Sequence, residues 1–161
     1  MDRSLLMAIV VVFMLALLGL MAWGWYGRRK RQAHLAAPVP VPADPGTVIA
    51  TLEGKYVATT ASGDRLDRIA VHGLGFRGNA TITVTDSGVL VGLPGNEVWI
   101  PREHVSGTHR ATWTIDRVVE PDGLEVVEWT LGEQPVESAF RMPRAGALES
   151  AIARLLERRA A

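Results

Sequence analysis

Residues 79–93 read NATITVTDSGVLVGL. The run NATITVT alternates and is rich in β-branched residues, which is the pattern of a strand with two different faces. Asp86-Ser87-Gly88 is turn chemistry, and VLVGL resumes the strand at once. Two such runs around a tight turn specify a β-hairpin. If these residues form a hairpin, the chain around them is mainly β.

The surroundings agree. From Thr47 to Phe140 the runs are short and rich in Val, Ile, Thr and Trp. Ser62-Gly63-Asp64, Pro94-Gly95-Asn96, Pro121-Asp122-Gly123 and Leu131-Gly132 punctuate them. Strands are expected near 54–60, 67–72, 79–85, 88–93, 97–100, 105–113, 115–119, 124–130 and 136–141, some neighbouring pairs being single bent strands. No helical stretch separates them, so the sheet should be an antiparallel meander rather than an α/β sheet. After Phe140 the period changes. In GALESAIARLLERRAA, Leu148, Ile152, Leu155 and Leu156 recur at i, i+4, i+7 and i+8, while Glu149, Arg154, Glu157 and Arg158 fall elsewhere on the wheel. Arg158 and Arg159 suit the carboxyl end of a helix. The expected architecture is a small barrel or sandwich closed by one terminal amphipathic helix.

The amino-terminal side has another character. Leu5 to Trp25 is a run of 21 residues with no polar side chain except two indoles. As a helix it is about 31 Å long, close to a hydrocarbon core of about 30 Å. Trp23, Trp25 and Tyr26 then fall where an interfacial belt belongs, and Arg28, Arg29, Lys30 and Arg31 follow. A cleavable leader has its cations before a shorter apolar run; here the order is reversed. One cation precedes the run and four follow it, so the positive-inside rule puts the carboxyl-terminal part in the cytoplasm of a single-pass protein of the cell (inner) membrane, with the amino terminus outside. Pro38, Pro40, Pro42 and Pro45 make the next stretch extended and semi-rigid. The expected division is an anchor at 1–27, a basic flank and proline-rich spacer at 28–47, and a β domain with its helix at 48–161.

Bulk composition narrows the function. Residues 47–161 hold 12 Lys/Arg and 15 Asp/Glu, a net of −3. Such a domain lacks the basic stripe of a nucleic-acid binder. The chain has no cysteine, hence no disulfide, thiolate metal site, cysteine nucleophile or lipobox. Arginine outnumbers lysine 15 to 2, which suggests a GC-rich bacterial genome.

GKYVATTASGDRLDRIAVHGLGFRGNATITVTDSGVLV, VWIPREHVSG, VVEWTLGEQPVESAFR and the closing helix together resemble the bacterial pleckstrin-homology (PH)-like domain of small actinobacterial membrane proteins. The resemblance covers about residues 48–158. It implies a seven-stranded, strongly bent barrel capped by a carboxyl-terminal helix, and it carries no catalytic residues. Eukaryotic relatives of the fold bind phosphoinositides through basic residues of the first hairpin. Here that loop is TTASGDRLDR, where Asp64 and Asp67 offset Arg65 and Arg68, so phosphoinositide binding is not expected.

Other motifs have ordinary readings. Gly73-Leu74-Gly75-Phe76-Arg77-Gly78 matches G-x-G-x-x-G, but a strand pattern follows it instead of the helix that must receive a pyrophosphate. The glycines fit a tight turn, even with Glu97 about 20 residues on. His34, His72, His104 and His109 show no metal-ligand spacing, and Ser106 and Ser138 no nucleophile context. Glu120, Asp122, Glu125 and Glu128 read as a solvated strand face. Trp99, Trp113 and Trp129 are expected in the core, and an exposed one would anchor a partner.

The sequence therefore reads as a membrane-anchored, non-enzymatic protein without cofactor or metal. Its cytoplasmic domain would serve as an interaction or scaffolding module for a protein partner, with Arg65, Arg68 and Trp99 as candidate contacts. The second reading is an accessory subunit of a membrane transport or export assembly.

Overall fold

The structure, a computed structural model, describes residues 2–114, 117–118 and 123–157. It divides into two compact units, residues 1–34 and 35–161.

The first unit is one helix, α1 (Arg3–Arg31), with no buried residue. It is long and apolar enough to cross a membrane. Arg28, Arg29, Lys30 and Arg31 form its last turn, where cations complement the helix dipole. The Arg29 guanidinium lies 4.9 Å from the ring centroid of Trp25, one turn back.

The second unit is built on one long strand. β1 (Val48–Ala61) is followed by β2 (Asp64–Arg68), β3 (Gly78–Thr85), β4 (Gly88–Leu93), β5 (Asn96–Pro101), a 3-10 turn (Arg102–His104) and β6 (Val105–Ala111). Short β7 (Trp113–Thr114) and β8 (Arg117–Val118) pair with each other; β9 (Leu124–Leu131), β10 (Gln134–Arg141) and α2 (Ala147–Glu157) complete the chain. The main sheet runs β5-β4-β3-β1-β10-β9-β6, with β2 beside β1. Each of these neighbour pairs is antiparallel, as the meander pattern requires. The 79–93 hairpin forms β3 and β4, with Ile82 opposite Val91.

The expected closed barrel is an open, bent sheet, because its end strands β5 and β6 do not pair with each other. β1 bends because its register slips at Val48/Ala50, Tyr56/Ala58 and Thr60/Ala61. Each slip adds local twist, so the first part of β1 serves β3 and the last part β10 and β2. α2 packs against β1, β3 and β6. Leu148, Ile152 and Leu155 are fully buried there, and Leu156 is half-buried against the same core.

Three other expectations are corrected. The strand placed at 67–72 lies at 64–68, and Ile69, Val71 and Leu74 enter the core from the connection that follows. The spacer does not stand apart up to residue 47: from Leu35 on it is laid on the domain, as described below. The solvated face drawn for β9 is wrong at Glu125, which is 3% exposed. Strand alternation groups Glu125 with Val127, Trp129 and Leu131 on the core side, while Leu124 and Val126 join Val57, Ala111 and Ala139 in a second cluster. The strand expected at 115–119, the Pro121-Asp122 turn, Glu120, Asp122, Arg158 and Arg159 lie wholly or partly outside the described residues.

Candidate functional site

The polar groups of the domain are largely consumed in holding it together. The clearest case is a buried chain of hydroxyls. Trp129 Nε1 donates to Ser138 Oγ at 2.9 Å, Ser138 Oγ lies 2.6 Å from Thr59 Oγ1, and Thr59 Oγ1 lies 2.6 Å from the Tyr56 phenol. That phenol donates to the Leu74 carbonyl at 2.8 Å. A carbonyl only accepts, so the Tyr56 proton is committed to Leu74. Thr59 must therefore donate to Tyr56, and Ser138 to Thr59. All protons point one way, from the indole of β9 to the connection after β2. Burial pushes the Tyr56 phenol far above the ordinary tyrosine range, against smaller opposing effects of the Thr59 bond and the Arg68 charge. It stays a donor at any physiological pH. The relay contains no base, so it is a fastener and not a proton path. Tyr56→Phe should leave Thr59 and the Leu74 carbonyl short of a buried partner. The expected loss is about 1–3 kcal/mol, read from chemical denaturation of the full chain in detergent.

The glycine motif lies at the end of this relay. Gly73 to Gly78 is a turn leading into β3, with no helix behind it, so it presents no helix terminus to a phosphate. His72 and Gly73 both have positive φ, 55° and 76°. A β-carbon at Gly73 would collide with the Asn96 side chain, whose Nδ2 donates to the His72 carbonyl. Glycine is needed there for space and for conformation.

The first-hairpin cations do not converge on a ligand. Arg68 Nη2 donates to the carbonyls of Val57, Gly75 and Phe76 at 3.2, 3.1 and 3.3 Å. It clamps the same glycine turn from β2. Arg65 is on the other side of the sheet, at a shallow apolar pocket with His109, Ala111, Val126 and Ala139. The two candidates therefore occupy separate places. Trp99, the third candidate, is 3% exposed and not presented to solvent.

His72 and His109 are engaged as well. His109 Nδ1 donates to Glu128 Oε1 at 2.7 Å, a carboxylate partner the sequence reading did not foresee. His72 Nε2 donates to the Leu35 carbonyl at 2.9 Å. No cluster of three metal-ligating side chains occurs among the described residues. Glu125 is the functional-looking residue that sequence reasoning missed. Its Oε1 accepts from Gly146 N–H at 2.7 Å and its Oε2 from Glu149 N–H at 2.8 Å. A strand carboxylate thus caps the amino end of α2. The signal was available in principle, since Glu125 keeps step with the inward residues of β9.

The outer face of β1, β3 and β4 carries shallow depressions sharing Glu53 and Asn79. Glu53 Oε1 already accepts from Thr81 Oγ1 at 2.9 Å, and no catalytic constellation gathers there. A search of curated proteins finds no match to the chain. A family model described as Bacterial PH domain-like matches residues 35–155. Its match begins where the second compact unit begins and takes in both the sheet and nearly all of α2. With more than half of its 161 residues so matched, the chain belongs to the bacterial PH domain-like family.

Proposed function

We propose that the protein is a single-pass membrane protein whose cytoplasmic PH-like domain is a non-enzymatic interaction module for a protein partner. The observation that carries this reading is the use of the domain's polar groups. The hydroxyl relay, Arg68 and Glu125 are spent on the fold, so what the domain offers outward is surface. α1 supports anchoring by its length and hydropathy, and the cations of its last turn support a cytoplasmic domain by the positive-inside rule. Trp23, Trp25 and Tyr26 would then lie at the interface. The arginine-rich composition supports an actinobacterial origin. Three residues separate Arg31 from Leu35, where the domain begins. Such a short tether keeps the domain in the millimolar effective concentration range for other membrane components, and a weak surface then suffices.

A reporter fused after Ala161 tests the topology. A cytoplasm-active fluorescent protein should be bright there, and alkaline phosphatase at the same point should be inactive. An active phosphatase would overturn the orientation and the location together. Partner capture tests the role. After crosslinking in intact membranes, the full chain should retain a protein partner that the chain without residues 4–25 holds far less well. Turnover of a substrate by the full chain would overturn the non-enzymatic reading.

A further inference from the structure

Trp99 is the one large aromatic of the sheet that is buried outside the main core. Its strand neighbours Val98 and Ile100 belong to that core, and Trp99 does not. Alternation turns it to the opposite face. There its ring lies across β4 at Gly88, where a β-carbon would stand only 2.7 Å from the ring. Gly88 thus makes room for the Ile100 carbonyl, 2.5 Å from that position, and for the indole.

The segment that runs beside this strip is residues 35–46. The segment is fastened near the start of β5, where its Leu35 carbonyl accepts from His72 and the His72 carbonyl accepts from Asn96. It is fastened again beyond the end of β5. There the Ser87 hydroxyl donates to the Pro45 carbonyl, and the Ser87 carbonyl accepts from Arg102 N–H. Between these points one antiparallel bridge joins Val39 to Trp99. The segment is therefore a strap along β5, and Trp99 pairs with its middle.

Leu35 packs against the main core, but beyond it the strap is lightly held along β5. β5 pairs through six residues with β4 on its other side, but through one with the strap. Pro38, Pro40, Pro42 and Pro45 have no N–H to give. Val39 and Val41 remain 41% and 37% exposed. What the strap adjoins is worth more than what it holds: an indole and a strand edge are the usual ingredients of a peptide-docking surface.

We propose that the Trp99–Gly88 strip and the β5 edge form a docking groove that the strap occupies in cis, and that a partner displaces it with a like segment. The occupant is an extended peptide with β-branched residues between prolines, because that is the chemistry the groove already accepts from Pro38 to Pro42. Such a segment loses little entropy on binding. This deepens the interaction-module reading and rests on it. A partner captured on another surface would sink the groove and leave the module standing.

The test uses the full chain in nanodiscs and a labelled peptide of sequence LAAPVPVPADPG, residues 35–46. Val39→Pro with Ser87→Ala removes the bridge donor and the clip. Subtracting the signal of the Trp99→Phe counterpart isolates the Trp99 fluorescence. Acrylamide quenching of Trp99 should rise severalfold in the loosened chain. Added peptide should reverse it, with an affinity about tenfold or more above that for the unaltered chain, since the cis competitor is gone. A scrambled peptide without the alternating prolines should not. Trp99 remaining shielded, or an opened groove that ignores the peptide, overturns the proposal. Concentration-dependent dimers of the loosened chain also overturn it, by assigning the groove to the strap of a second copy. Hydrogen exchange on the unaltered chain guards against misfolding of the variant. The Val39 and Val41 amides should exchange at least a hundredfold faster than those of β4, and equal protection would show a strap that does not open.

Discussion

Ile152→Asp is expected to unfold the domain or to lower its melting midpoint by well over 10 °C. Ile152 is fully buried between Leu148 and Leu155 on the face of α2 that meets β1, β3 and β6. The substitution removes about 2–3 kcal/mol of apolar burial and puts a carboxylate into the apolar core cluster, which costs several kcal/mol more. Domains of this size are stable by about 5–15 kcal/mol in all. Arg154→Ala, on an exposed position of the same helix, should change little and serves as the control. The measurement is tryptophan fluorescence during a thermal scan of the full chain in detergent, with the signal of the Trp129→Phe counterpart subtracted to isolate Trp129 in the core. A midpoint equal to that of the unaltered chain would show that α2 is not part of the cooperative fold and is free to serve as a binding element.

α2 was legible because its period is unmistakable, and so was the β3–β4 hairpin. In both cases a local pattern decides which face is buried, and tertiary contacts only confirm it. The chain after β2 shows the opposite case. Ile69 and Val71 look like a strand by composition, yet with Leu74 they are core residues delivered by the connection after β2. A loop can bury apolar side chains without any period, if Tyr56 and Arg68 satisfy its carbonyls. Those partners are 18 and 7 residues away, so nothing local announces them. Closure of the sheet was equally out of reach. Whether two edge strands meet depends on bulges in β1, and bulges leave no mark in an alternating pattern.

The candidate surface was half legible. Trp99 stood out as a large aromatic among short strands, and the alternating prolines showed that residues 38–45 are extended. That the one pairs with the other depends on Ser87, His72 and Trp99 meeting a segment up to 60 residues earlier in the chain. Arg65 and Arg68 looked like neighbours with one role. The strand puts them on opposite sides, one at a shallow pocket and one in a clamp.

Glu125 gives the second large effect. Its carboxylate reaches from β9 to the amino end of α2 and accepts two N–H groups that the helix itself cannot satisfy. The bonds are charge-assisted and buried, and the positive end of the helix dipole favours the carboxylate further. Glu125→Ala removes both acceptors and leaves a void, at an expected loss of about 3 kcal/mol or more. Glu125→Gln keeps the shape and turns one acceptor into a donor facing an N–H, so it should lose about 2 kcal/mol. The order unaltered, Gln, Ala should appear in hydrogen exchange of the α2 amides. Those amides should speed up before the β3–β4 hairpin does, because a terminal helix released from its cap opens as a local unit. Equal protection of α2 in the Gln variant would mean that the neutral amide caps as well as the carboxylate, and that the negative charge has no structural use. A buried carboxylate with no structural use, at the joint between sheet and helix, would then be the first place in this domain to look for chemistry.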